Sequence, residues 1–315
     1  MSRYKSFDFG KVRRYSLKDR PSKVGVDDMA EPLTGTSMSE FFDSLPNLLG
    51  SRDLQLLADS ILTARQKQKP IIWGIGGHVI KVGLAPILID LMNRGLATAF
   101  ASNGSAVIHD FELGYAGWTS EEVEEGLATG DFGMAEETGR LINQAIGTGA
   151  AAGKGLGESL GEMMDEEKLA HANHSLILQA FRRSVPFTVH LAIGTDIIHG
   201  HPEASGEALG AASYTDFRIF TQQVADLNDG GVYLNVGSAV VLPEVFLKAV
   251  SAVRSTSCEL ENFTTANLDF IQHYRPLQNV VKRPVSRSGL GIALTGHHEI
   301  MVPLLAARLL SSTRT

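Results

Sequence analysis

From residue 38 onward the chain alternates stretches of helical apolar period with short uninterrupted apolar runs. Ser39 to Leu49 and Asp53 to Lys67 read as helices, the second with Leu54, Leu56, Leu57, Ile61 and Leu62 on a broad apolar face. Pro70-Ile-Ile-Trp-Gly follows as a buried strand that ends in glycines. Ile80 to Arg94 is the next helix, closed by Gly95. Ala97-Thr-Ala-Phe-Ala-Ser is a second strand, stopped by Asn103-Gly104. Val185 to Ile193, Gly231 to Val236 and Gly289 to Leu294 have the same strand character. Helical patterns over Ala204–Ala211, Tyr214–Ala225, Pro243–Arg254 and Glu299–Leu310 separate them. Buried strands that alternate with helices predict an α/β fold, a doubly wound, mostly parallel sheet covered on both faces. The organisation expected is an arm over residues 1–37 and a single α/β domain over 38–315.

Residues 146–162 resist that pattern, because six of them are glycine. A phosphate loop needs Gly-x4-Gly-Lys-Ser/Thr. Here Thr148 stands in the first glycine slot and Gly155 follows Lys154, so the motif fails at both ends. A helix packed closely through small residues and a mobile lid remain as readings.

Charge adds one feature. Residues 1–25 hold eight Lys/Arg against Asp8 and Asp19, which puts +6 on the arm and −13 on the rest of a chain of net −7. A solvated tail, an arm lying on an acidic neighbouring subunit, and a basic nucleic-acid arm all fit; Tyr4, Phe7, Phe9 and Tyr15 give the second something to bury. The acidic total argues against nucleic acid as the main partner. No apolar run reaches the ~18 residues that span a bilayer, and the first 25 residues lack the apolar stretch of a secretory signal. The single Cys258 points to a reducing compartment, so a cytoplasmic protein without membrane contact is expected.

Ligands of an open parallel sheet sit outside the carboxyl ends of its strands. The residues there are Gly74, Gly76, Gly77 and His78, then Asn103, Gly104, His109 and Asp110, then Asp196, His199 and His201, then Gly237 and Ser238, and last His297, His298 and Glu299. Glycine after a strand lets a phosphate approach the backbone and the following helix N-terminus. Trp-Gly-Ile-Gly-Gly-His has this character without being the Gly-x-Gly-x-x-Gly fingerprint. Six of the ten histidines fall at these ends. Such rings satisfy buried hydrogen bonds, act as general acid or base, or bind metal, for which His199-x-His201 with Asp196 or Glu299 is the candidate.

Taken together, these strings resemble the deoxyhypusine synthase family over about residues 70–310. The resemblance is carried by Gly77-His-Val-Ile-Lys-Val-Gly-Leu-Ala-Pro, Ala101-Ser-Asn-Gly-Ser-Ala-Val-Ile-His-Asp-Phe-Glu, Ala180-Phe-Arg-Arg-Ser-Val-Pro-Phe-Thr-Val, Asp216-Phe-Arg-Ile-Phe-Thr-Gln-Gln and Gly230-Gly-Val-Tyr-Leu-Asn-Val-Gly-Ser-Ala-Val-Val. It implies a Rossmann-like NAD-binding fold, NAD as cofactor, and a homo-oligomer, with a tetramer favoured. By position it assigns NAD contacts to Gly76, Gly77, Asn103, Gly104, Asp110, Asp196, Gly237, Ser238 and His297. His201 stands near the family's active-site histidine, with Asp196 and His199 as its catalytic company.

The family's imine-forming lysine is absent. Its loop reads Ser238-Ala-Val-Val-Leu-Pro, with Lys248 the nearest amine, and no acidic polyamine-binding stretch is present. Arg275, Lys282, Arg283 and Arg287 stand near that region instead, which suggests an anionic ligand or ordinary surface charge. The expectation is an NAD-binding, deoxyhypusine synthase-like protein that carries out redox or transfer chemistry on a small molecule but makes no deoxyhypusine. Metal-assisted hydrolase or lyase chemistry, and non-catalytic nucleotide binding, are the alternatives.

Overall fold

The computed structural model describes residues 2–311. Residues 2–36 hold only three short 3-10 turns and lie almost wholly exposed. The first helices are α1 (Met38–Asp43) and α2 (Leu49–Gln66). In α2, Leu54, Leu57, Ala58 and Ile61 are buried at the spacing of one helical face.

Six strands follow: β1 (Ile71–Ile75), β2 (Ala99–Asn103), β3 (Phe187–His190), β4 (Val232–Val236), β5 (Thr264–Asp269) and β6 (Leu290–Thr295). They form one all-parallel sheet in the order β3-β2-β1-β4-β5-β6. β1 and β4 are buried at every position. Trp73, Phe100, Leu234 and Leu268 face one apolar core, while Ile72, Tyr233, Phe220 and Phe246 build a second on the opposite face. Two covered faces explain why the strands read as continuous apolar runs.

β5 is the strand that apolar patterning does not predict, and its polar residues are the reason. Thr265 Oγ1 donates to Val280 O at 2.7 Å, outside the sheet, and Asn235 Nδ2 donates to Asn267 Oδ1 at 2.7 Å between neighbouring strands, so these buried polar groups are paired. The remaining helices are α3 (Gly77–Lys81), α4 (Ala85–Asn93), α5 (Gly104–Tyr115), α6 (Val123–Thr129), α7 (Glu136–Ala151), α8 (Leu156–Glu166), α9 (Leu176–Arg182), α10 (Gly206–Ala225), α11 (Val241–Arg254), α12 (Tyr274–Pro276), which runs on as a π-helix to Lys282, and α13 (His298–Ser311). Two expected boundaries move. The helix expected over 80–94 breaks at Gly83, whose φ is +83°, whereas the two expected over 204–225 are one continuous helix.

The glycine-rich stretch forms the end of α7 and the start of α8, broken by a turn over 152–155, and small residues pack closely in both helices. A Cβ on Gly149 would collide with Ser159, one on Gly157 with Phe187 O, and one on Gly161 with Phe181. Asp216 ties the stretch down: its carboxylate accepts from Gly157 N at 3.0 Å and Val189 N at 2.8 Å. Burial outweighs these bonds and raises Asp216 to about 7. Its folded form therefore binds a proton more tightly than the unfolded chain, and the stability from that proton is lost as pH rises toward 7. Burial also pulls His190 down to about 3, which has the opposite sign but is common to any pair of proteins differing only at 216. Relative to wild type, Asp216→Asn should gain stability between pH 5 and pH 8, by on the order of 5 °C in thermal midpoint. Parallel midpoints across that range would contradict the assignment.

Candidate functional site

The strand order reverses between β1 and β4, and this switch point is where doubly wound sheets bind ligands. Two glycine turns meet there. Gly76 N donates to Val236 O at 2.9 Å, and a Cβ on Gly76 would collide with Gly237 O. Gly237 has φ +69°, a conformation that favours glycine. Gly77 begins α3, where a Cβ would strike Ser105. The two turns bring bare backbone together at the crevice that a switch point forms, with Gly76 and Gly77 buried and Gly237 half-buried.

Ser238 is buried beside it, and its Oγ accepts from Leu242 N at 3.2 Å in the first turn of α11. Asn103 caps α5 in the same way, accepting from Ala106 N at 3.4 Å. Gly104 is close-packed too, since a Cβ there would collide with the Asp196 carboxylate. Beyond β5 and β6, His78, Phe270 and His297 form a ring cluster on the crevice rim. Phe270 and His297 stack with centroids 6.0 Å apart and planes at 7°, and His78 lies 6.2 Å from Phe270. His298 is buried beneath them, 3.6 Å from Asp269.

A cavity of about 640 Å³ adjoins the crevice through Lys81 and Ser105. It lies between α3, the outer face of α5, the start of α7 and the loop after β3. His109, Glu112 and Thr119 line it, along with the exposed Trp118 and the carboxylates of Glu121, Glu137 and Asp196. Burial raises Asp196 above the usual carboxylate range. Burial first, then Lys81 and His78, pulls His109 below the usual imidazole range.

The structure separates the histidines expected to be catalytic from this cavity. His201 is buried; its Nε2 donates to Gly133 O at 2.8 Å, and its ring fills the space a Cβ on Gly139 would need. It anchors the loop before α7. His199 turns into its own loop, where Nδ1 accepts from Gly194 N at 3.1 Å and Asp196 N at 3.3 Å. The two rings share no ligand direction, and no group of three metal-ligating side chains occurs among the described residues. Of the expected catalytic set, only Asp196 lines the cavity.

Asp110 does not line the cavity either. It is buried and spends its carboxylate on the start of α9, accepting from Leu176 N at 2.7 Å, Ile177 N at 3.1 Å and Ser175 Oγ at 2.5 Å. Burial nevertheless raises it to about 6. It holds the start of α9.

The basic residues expected to favour an anion lie outside the cavity. Arg275 faces Glu244 at 3.3 Å and Arg283 donates to Asn279 Oδ1 at 2.7 Å; Lys282 and Arg287 are exposed. They are surface charge, and the charged residues that line the cavity are four carboxylates, Glu112, Glu121, Glu137 and Asp196, against Lys81. Patterning gave no role to Glu112, which closes the Ala101–Glu112 segment one helical turn from His109, and missed Thr119, Phe270 and Asp269, which become neighbours of the histidines only through the fold.

No family model matches the chain. A "Deoxyhypusine synthase-like protein" of Chlorobaculum parvum is 20% identical over 207 residues, covering 58% of each chain, so this chain spans little more than half of that relative's length. A conserved LOR/SDH protein of Methanococcus maripaludis S2 shares the fold with TM-score 0.53 and 16% identity, over 84% of this chain and 70% of that one. AgrE, in a complex with ornithine and NAD+, shares it with TM-score 0.56 and 13% identity, over 84% of this chain and 34% of that one.

Proposed function

We propose that this chain, a distant relative of the deoxyhypusine synthase-like proteins, holds NAD or a related dinucleotide across its switch point and uses it on a small molecule in the adjoining cavity. The observation that carries this reading is the meeting of the Gly76 and Gly237 turns at the reversal of strand order, packed so closely that a Cβ on Gly76 would strike Gly237 O, which leaves the switch point without side chains of its own. Gly76, Gly77 and Gly237 would floor the dinucleotide site, with the N-terminal amides of α11, set by Ser238, beside its phosphates. Gly104 and Asn103 fix the start of α5 at the mouth between crevice and cavity. His297 and Phe270 offer a flat surface for one base or ring at the rim. The complex of AgrE with NAD+ supports this use of the fold. When bound, a nicotinamide dinucleotide supplies a hydride acceptor that no side chain provides.

The cavity's share of the work is to exclude water and orient the ligand. Its carboxylates outnumber Lys81, so the reading shifts from an anionic substrate to one that is neutral or cationic. The chain is proposed to act as a cytoplasmic homo-oligomer, with a tetramer favoured. The exposed Tyr4, Phe7, Phe9 and Tyr15 on a basic arm support that, as does an acidic body for the arm to lie on.

One preparation tests both halves. Light scattering should give a mass of four chains, and denaturation should release NAD or its reduced form, detected by mass spectrometry. Ala239→Glu, half-buried at the entry to α11, should lose the nucleotide and keep the fold. A monomer would contradict the assembly, and an Ala239→Glu protein that still carries nucleotide would contradict the site.

A further inference from the structure

The hydrogen bonds in the cavity wall fix which nitrogen of one histidine carries the proton. Thr119 Oγ1 lies 2.5 Å from Glu112 Oε2 and 2.8 Å from His109 Nδ1. An ionised carboxylate can only accept, so the one hydroxyl proton of Thr119 goes to Glu112. The hydroxyl oxygen is then left to accept, and Nδ1 of His109 must be the ring nitrogen that donates. Glu112 is itself held by Thr138 Oγ1, 3.1 Å from its other oxygen. The neutral ring therefore has a bare Nε2, which makes no hydrogen bond among the described residues. The chain Thr138–Glu112–Thr119–His109 is built from α5, α7 and the loop after α5, and all four side chains line the cavity.

We propose that His109 is the proton acceptor of this cavity, taking at Nε2 a hydroxyl or amine proton from the small molecule bound there. In that step the ligand's O–H or N–H bond breaks, an Nε2–H bond forms, and the electron pair stays on the ligand atom. Glu112, through Thr119, faces the imidazolium that results and stabilises it. Burial, and after it Lys81 and His78, disfavour the charged ring before the ligand arrives. Glu121, Glu137 and Asp196 are the remaining charged groups around the cavity, and Glu121 is tied to Gly133 N at 2.9 Å. The inference rests on the reading of crevice and cavity as one site.

Diethyl pyrocarbonate, which attacks the bare nitrogen of a neutral imidazole, is the probe. Peptide mass spectrometry should find His109 carbethoxylated, with half-maximal reactivity at a pH below the ordinary imidazole value of about 6.5. Nitrogen NMR of histidine-labelled protein should show Nδ1 protonated and Nε2 bare. Thr119→Val should slow the modification by about fivefold, the bias one net hydrogen bond sets between two tautomers. Thr119→Ser should restore it, and a residue that only packs would respond to neither change. A protonated Nε2 in wild type, or equal rates in Thr119→Val, would overturn the proposal. Failure of NAD+ to bind, with His109 reacting as described, would instead sink the dinucleotide reading alone.

Discussion

Replacing Gly76 with alanine is expected to lower the stability of the protein by about 3 kcal/mol or more, the upper range for forcing extra volume into a packed site. The added methyl would meet the carbonyl oxygen of Gly237, a backbone atom held in turn because Gly237 N donates to Leu268 O at 3.1 Å. No rotamer change relieves that collision. Since whole domains are stable by only about 5–15 kcal/mol, the urea midpoint should fall visibly in a circular dichroism titration. Gly147→Ala is the matched control. It lies within α7 with nothing near its Cβ position, so alanine should add up to about 1 kcal/mol. Equal midpoints for Gly76→Ala and wild type would show that the two turns do not touch. The same reasoning rules out Gly77→Val as a clean test of cofactor entry, because it would push the first turn of α5 aside at Ser105.

The second large effect is an absence of product. Incubated with labelled spermidine, NAD and the precursor protein of a translation factor, on whose lysine deoxyhypusine synthases build deoxyhypusine, the protein should leave that precursor unlabelled. Transfer through an imine needs an amine at the reacting carbon. The loop from Ser238 to Pro243 has none, and Lys248 points away: its side chain is 61% exposed and bound to Glu244 at 2.5 Å. The basic groups near the family's acidic stretch are exposed too, so nothing there holds a polyamine. Labelling that disappears in Lys248→Ala would overturn this argument.

Much of the scaffold was legible because a strand buried on both faces needs an unbroken apolar run. Ile71–Ile75 and Val232–Val236 have one, and the glycines after them sit where the topology demands. β5 was hidden by Thr265 and Asn267, whose buried polar groups are paired by Val280, Asn235 and Gln272, partners that no apolar pattern reveals. The site was legible as a set of strand ends but not as a set of roles. Asp110, Asp196, His199 and His201 all stand after strands, yet three of the four spend their polar atoms on the protein's own backbone. Only packing shows which way a side chain turns. His109 was one of six strand-end histidines until Thr119 and Glu112, 10 and 3 residues away, gave it a direction.

The central claim is that the meeting of the Gly76 and Gly237 turns holds a dinucleotide. Calorimetric titration of the purified protein with NAD+ tests it most directly. The account predicts saturable binding by wild type at or below millimolar NAD+ and none by Ala239→Glu of equal thermal stability. Heats no larger than dilution for wild type at millimolar NAD+, in protein shown by mass spectrometry to carry no nucleotide already, would contradict it.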